Sequence, residues 1–193
     1  MGKARLEAFS DGVIAIIITI MVLEMKVPHG TQWSDLAGLV PVFLSYTLSF
    51  LNVGIAWINH HHFLHTVKHV NGPILWANMN LLFWLSLLPF TTGWMGENHF
   101  APAPVSLYAI NMLLCGLAFL ILQIKMIRAQ GAGSNLGEPI KTGAKEKFSL
   151  AAYLVAIPIA LLGFSWVAGA ILFLVTMGWF LPDKRIERAL KNA

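Results

Sequence analysis

The feature that most limits how this chain can fold is a series of apolar stretches of bilayer-spanning length, separated by short breaks rich in Pro and Gly. A helix needs about 20 apolar residues to cross the roughly 30 Å hydrocarbon core of a bilayer. Four stretches meet that length and predict helices over residues 6–27, 36–58, 72–94 and 105–126. Hydrophobic residues make up 57% of the chain and charged residues only 11%, so little remains for a domain outside the membrane.

The last apolar stretch, residues 148–181, is too long for one ordinary span and just long enough for two short ones. A turn near Gly163-Phe164-Ser165 divides it into predicted spans over 148–163 and 166–181. With six spans, all of the 13 Lys and Arg residues except Lys26 fall on one side of the membrane. The positive-inside rule then predicts that both termini and the Gly-rich loop over residues 130–142 are cytoplasmic.

The predicted fold is therefore an all-α, polytopic membrane protein: one domain over residues 1–193, with six transmembrane helices per chain. We attribute the net charge of +4 to membrane topology and expect no nucleic-acid partner. Cys115 is the only cysteine, which excludes an intrachain disulfide. The sequence contains no Gly-rich phosphate loop, serine-hydrolase elbow or HExxH motif, so we expect neither an enzyme nor a cofactor. It also lacks the Thr-Val-Gly-Tyr-Gly filter of the usual potassium channels.

The first span carries both an acidic residue and a regular apolar stripe. Asp11 lies at or inside the membrane boundary, where an ionisable side chain normally faces protein or water. We expect its carboxylate to pair with Arg5, or to be hydrogen-bonded to Ser10 and to the level of Asn59, His60 and Asn78. The stripe consists of Ile16, Thr19, Ile20 and Leu23, spaced as on one face of a helix. Its composition alone is more typical of a lipid-facing or packing surface than of a pore.

Amides and histidines collect at one end of the second and third spans. Asn59, His60 and Asn78 are predicted to lie near one level of the membrane, where amides commonly serve helix packing. If the second helix continues, His61, His65 and His69 lie one turn apart on one face, a spacing compatible with a metal site. No Cys and no nearby Asp or Glu completes a ligand set in the sequence. A structural or proton-sensitive cluster is the other interpretation.

A more specific pattern is the segment Arg5-Leu-Glu-Ala-Phe9-Ser10-Asp11 at the start of the first span. It resembles the Arg-x-x-x-Phe-Ser-Asp signature of the transmembrane protein 175 family, which comprises the lysosomal potassium channel of animals and its bacterial and archaeal homologues. Val22-Leu23-Glu24 and Trp57-Ile58-Asn59-His60-His61 are also similar to that family. Animal members contain two six-helix repeats, whereas this chain has one and so resembles the prokaryotic form.

The resemblance implies a homotetrameric channel, permeable to potassium and other monovalent cations, in the plasma membrane of a bacterium or archaeon. The first helix of each subunit would line the pore, and a ring of bulky aliphatic side chains would narrow it. By position, that ring corresponds to Ile16, with Ile20 and Leu23 extending the constriction and Thr19 adding a polar layer. The residues expected to hold the helix in place are Arg5, Phe9, Ser10, Asp11, Asn59, His60 and Asn78.

Two other classes of function are compatible with the same residues. A secondary or proton-coupled transporter would use Asp11 and the cluster from His60 to His69 as a relay. A membrane enzyme with a histidine-ligated metal or haem is the third alternative.

Overall fold

A computed structural model describes residues 2–67, 69–129 and 143–180, and every regular element in these ranges is helical. The α-helices are α1 (Lys3–Ile20), α2 (Val40–Thr66), α3 (Gly72–Ser86), α4 (Leu88–Glu97), α5 (Pro102–Ala129), α6 (Ala144–Leu161) and α7 (Ser165–Trp179). Two 3₁₀ segments extend the first spans: Met21–Glu24 continues α1, and Trp33–Leu39 leads into α2. The predicted all-helical class is confirmed.

Helices α3 and α4 together form the third span. Pro89 lies in the first turn of α4, where its missing N–H interrupts the hydrogen-bond ladder at Leu87. With this pair counted once, the described chain has six helices, as predicted. Among the described residues, four segments are long and apolar enough to cross a membrane: Lys3–Glu24, Trp33–His65, Gly72–Glu97 and Pro102–Ala129. The last two helices, α6 and α7, complete the bundle.

The helix boundaries differ from the sequence prediction chiefly in the second span. This helix was predicted to end at residue 58 but continues to Thr66, because Phe63 and Leu64 are buried and anchor its last turns. The predicted turn between the last two spans is confirmed, and Gly163 adopts there the positive φ of 93° that glycine tolerates best. The predicted loop over 130–142, residue 181 and the basic residues of the C-terminal tail lie outside the described residues.

A close helix contact holds the third span against the second. A β-carbon at Gly96 of α4 would lie 2.7 Å from the α-carbon of Val42 in α2, so only glycine fits there. At the same end of the bundle, Lys26 donates to the Glu97 carboxylate at 2.6 Å. This exposed ion pair raises the pKa of the Lys26 amine above its usual value, first through the hydrogen bond and then through the negative charge.

Candidate functional site

Helix α1 has one face inside the bundle and another outside it. Its buried face consists of Leu6, Ser10, Ile14, Ile17 and, just beyond the helix, Met21. The predicted stripe lies on the opposite side: Ile16 is 60% exposed and Leu23 75%, with Thr19 and Ile20 between them also exposed. Within a single chain much of the surface of the stripe is therefore uncovered, and it is free to meet lipid, another subunit or a pore.

The hydroxyl of Thr19 has a defined orientation on that exposed face. It donates to the Ala15 carbonyl oxygen at 2.8 Å, one turn back along the helix. Because the hydroxyl proton is used within the helix, the free lone pairs of the oxygen are directed outward. Thr19 thus offers an acceptor in the middle of an otherwise aliphatic stripe.

A buried hydrogen-bond network fixes the inner face of α1. The Asn78 amide donates to the Ser10 hydroxyl at 2.9 Å, while the Asn78 carbonyl oxygen lies 2.7 Å from Nε2 of His60. All three side chains are at most 1% exposed. Ser10 in turn donates to the Leu6 carbonyl oxygen. These bonds join α1, α2 and α3 inside the protein, where an unpaired polar group would be costly.

A second set of polar contacts runs along the antiparallel packing of α1 against α2, and we call it the polar seam. Its three rungs are Lys3 Nζ donating to the His65 carbonyl oxygen at 3.0 Å, Glu7 Oε1 at 3.2 Å from Nδ1 of His61, and Trp57 Nε1 donating to Asp11 Oδ1 at 3.0 Å. Residue numbers step by four in opposite directions along the seam, as antiparallel helices require. The seam fixes the register of α1 on α2.

The seam corrects the expected partners of Asp11. Its carboxylate accepts from Trp57 rather than pairing with Arg5 or Ser10. Arg5 and Phe9 are exposed, and neither side chain makes a hydrogen bond or ion pair within the described part of the chain. Asn59 donates to the Ile55 carbonyl oxygen of its own helix. Of the residues expected to hold α1, the structure therefore joins only Ser10, His60 and Asn78 in one network.

The candidate metal cluster also differs from its predicted composition. Helix α2 ends at Thr66 and Val67 is extended, so His69 does not lie one turn beyond His65. The expectation that no carboxylate is near was wrong, because Glu7 of α1 approaches both His61 and His65. Glu7 is remote from them in sequence, and only the register of the seam brings it close.

A second group of buried polar side chains connects other helices of the bundle. The Thr92 and Ser49 hydroxyls lie 2.6 Å apart, and Ser49 and Asn52 both donate to the Tyr108 hydroxyl. The Thr176 hydroxyl of α7 donates to the side-chain amide oxygen of Asn52, Oδ1, at 3.0 Å. These groups tie α2, α4, α5 and α7 together. The nearby cavity is lined mainly by apolar side chains.

These features define a multi-pass helical membrane protein whose first helix is anchored on one face and unpartnered on the other. A family model described as the endosomal/lysosomal potassium channel TMEM175 matches residues 5–89. A Chryseobacterium protein named as a potassium channel is 51% identical over 192 residues, covering 100% of both chains. The chain belongs to the TMEM175 family.

Two further relatives bear on the fold and on the first spans. The crystal structure of a lysosomal potassium-selective channel TMEM175 homologue from Chamaesiphon minutus superposes with a TM-score of 0.78 at 28% identity, covering 93% of this chain and 96% of that one. The human endosomal/lysosomal proton channel TMEM175 is 36% identical over an alignment of 96 positions that covers 43% of this chain and 19% of the human one. The resemblance predicted from the signature is confirmed.

Proposed function

We propose that the chain is one subunit of a homotetrameric potassium channel in which α1 lines the pore. Its single domain spans the plasma membrane of a bacterium or archaeon six times, with both termini in the cytoplasm, and conducts ions passively without catalysis. The full-length relative named as a potassium channel supports the activity. The observation that carries the placement of the pore is the exposed stripe of α1, opposite a face fixed by the buried network.

A path between subunits agrees with the packing of the single chain. Ser49, Asn52, Thr92, Tyr108 and Thr176, inside the bundle, bond to one another, and the cavity beside them is lined mainly by apolar side chains. Four copies around an axis, a closed symmetry common among oligomers, would bring four stripes together. Ile16, Ile20 and Leu23 would then form apolar rings that stop ions by dewetting, with the Thr19 hydroxyls as a polar layer between them.

A proton-coupled carrier remains the competing function, and the contacts favour it less. Such a relay would need Asp11 and the histidines to exchange protons along hydrogen bonds. Asp11 instead bonds Trp57, and His60 bonds Asn78, with no hydrogen bond between the two groups in the described structure. Currents that follow a proton gradient rather than a potassium gradient would nevertheless select the carrier.

The test is planar-bilayer recording of the reconstituted protein under a potassium/sodium gradient, comparing Ile16→Asn with Ile121→Asn. Both are exposed isoleucines in spanning helices, so the exchanges carry a similar insertion cost, but Ile121 lies on α5, away from the stripe. We expect Ile16→Asn to raise the leak through closed channels and to weaken cation discrimination, while Ile121→Asn conducts as the wild type does.

Ile17 is unsuitable as a control because it is 5% exposed, and an amide there would disturb the core. Equal currents from both variants, in protein whose mass in nanodiscs is that of four chains, would mean that Ile16 does not face the pore. A monomeric mass for the wild type would exclude the proposed assembly.

A further inference from the structure

The middle rung of the polar seam brings three metal-ligating side chains together from two helices. Glu7 Oε1 lies 3.2 Å from Nδ1 of His61 and 3.8 Å from Nε2 of His65. One donor atom from each of the three residues lies within 4.8 Å of the other two. We propose that Glu7, His61 and His65 bind a divalent transition-metal cation of the zinc class.

The donor set has the chemistry that such a cation prefers. Two imidazoles and one carboxylate are ligands typical of zinc, with metal–ligand bonds of about 2.0–2.2 Å. In a tetrahedral site these bonds separate the ligand atoms by about 3.3–3.5 Å. Two of the observed separations, 3.2 and 3.8 Å, are close to that value, and the third is within 4.8 Å, so the three ligand atoms already lie near the positions that one cation requires.

The positions of these residues also favour binding. His61 and His65 are one turn apart on α2, a spacing that directs two imidazoles to the same side of a helix. Their side chains are 39% and 57% exposed, and that of Glu7 is 21% exposed, so a hydrated cation can reach the site from the aqueous phase.

The Lys3 ammonium, in the neighbouring rung of the seam, does not pair with the Glu7 carboxylate. The Lys3 ammonium donates to the His65 carbonyl oxygen at 3.0 Å and forms no ion pair with Glu7 in the described part of the chain. Three protein ligands leave a fourth coordination position for water. The cation would thus join the start of α1 to the end of α2.

The experiment is calorimetric titration of the purified full-length protein in detergent with zinc chloride, repeated with cobalt(II) as a visible-absorbance probe of coordination geometry. We expect one saturable zinc per chain and cobalt bands typical of four-coordination. Glu7→Gln and His65→Gln should each lower zinc affinity at least ~10-fold, because losing a ligand costs no less than losing a supporting partner. The control is His69→Gln, an exposed histidine beyond the end of α2, which should bind as the wild type does.

Thermal unfolding without metal checks that each variant is folded. If Glu7→Gln fails to fold, His65→Gln still tests the site, because His65 is exposed and its exchange leaves the core intact. Absence of saturable binding to the wild type, undiminished affinity in the Glu7→Gln/His65→Gln double variant, or an equal loss in His69→Gln would each overturn the proposal. The measurement needs no ion current, so its result is separate from the outcome for the channel.

Discussion

Replacing Asn78 with alanine should destabilise the protein far more than the same exchange at Asn59. Asn78 is fully buried and makes two interhelical hydrogen bonds, to Ser10 and to His60. Its loss leaves Nε2 of His60 without a partner, and Nδ1 of that ring already has none. A buried polar group left unsatisfied costs about 1–3 kcal/mol, and the small cavity adds to this. We expect a total loss of about 2–4 kcal/mol.

Asn59 provides the matched control because its amide bonds only the Ile55 carbonyl oxygen of its own helix. Asn59→Ala should change the free energy of unfolding by less than about 0.5 kcal/mol. The assay is reversible denaturation in mixed micelles, with the amount of assembled protein after heating as a second readout. Equal destabilisation by the two exchanges, or a loss below 0.5 kcal/mol for Asn78→Ala, would refute the view that this network holds α1 in place.

Two further exchanges test the stripe and the helix packing. Thr19→Val should lower potassium-over-sodium selectivity in bilayer recordings, because it removes the outward-facing acceptor. The control is Thr47→Val on α2, which removes an exposed threonine whose hydroxyl also donates to the carbonyl oxygen four residues earlier and should leave selectivity unchanged. Unchanged selectivity in Thr19→Val would mean that the polar layer lies elsewhere. Gly96→Ala should lower the free energy of unfolding by about 1–3 kcal/mol in the same assay, because the added methyl group meets the Val42 backbone. Gly93→Ala should cost less, because its methyl group meets only the flexible carboxylate end of Glu24. A smaller loss at Gly96 than at Gly93 would contradict this packing.

Periodicity predicted the parts of the fold that depend on one helix at a time. Four apolar stretches and the division of a fifth gave the helix count, and the spacing of the stripe placed Ile16 and Leu23 on one face, which is the exposed face of α1. Contacts between helices depend on the rotation and the axial shift of each helix relative to its neighbour. The spacing of residues within one segment does not determine that rotation or that shift. The pairing of Asp11 with Trp57 and of Glu7 with His61 was missed for this reason.

Local chemistry explains the remaining differences. The sequence shows Pro89 within the third apolar stretch, but it does not show whether this proline breaks the helix, because that depends on the packing of the neighbouring helices. The second helix ran past its predicted end because two consecutive apolar residues of its histidine-rich segment, Phe63 and Leu64, are buried in the core. A hydropathy window averages such a segment and reports only that it is polar.

The separation of the two faces of α1 has an evolutionary consequence. Residues that hold the helix, such as Ser10 and Ile17, are distinct from those on the stripe, such as Ile16 and Thr19. In the channel proposed above, substitutions on the stripe would accumulate with little cost to folding, and selection would retune ion passage while the scaffold stays the same. Descendants of one bundle would then diverge in conductance and ion preference through a handful of exchanges on a single helix.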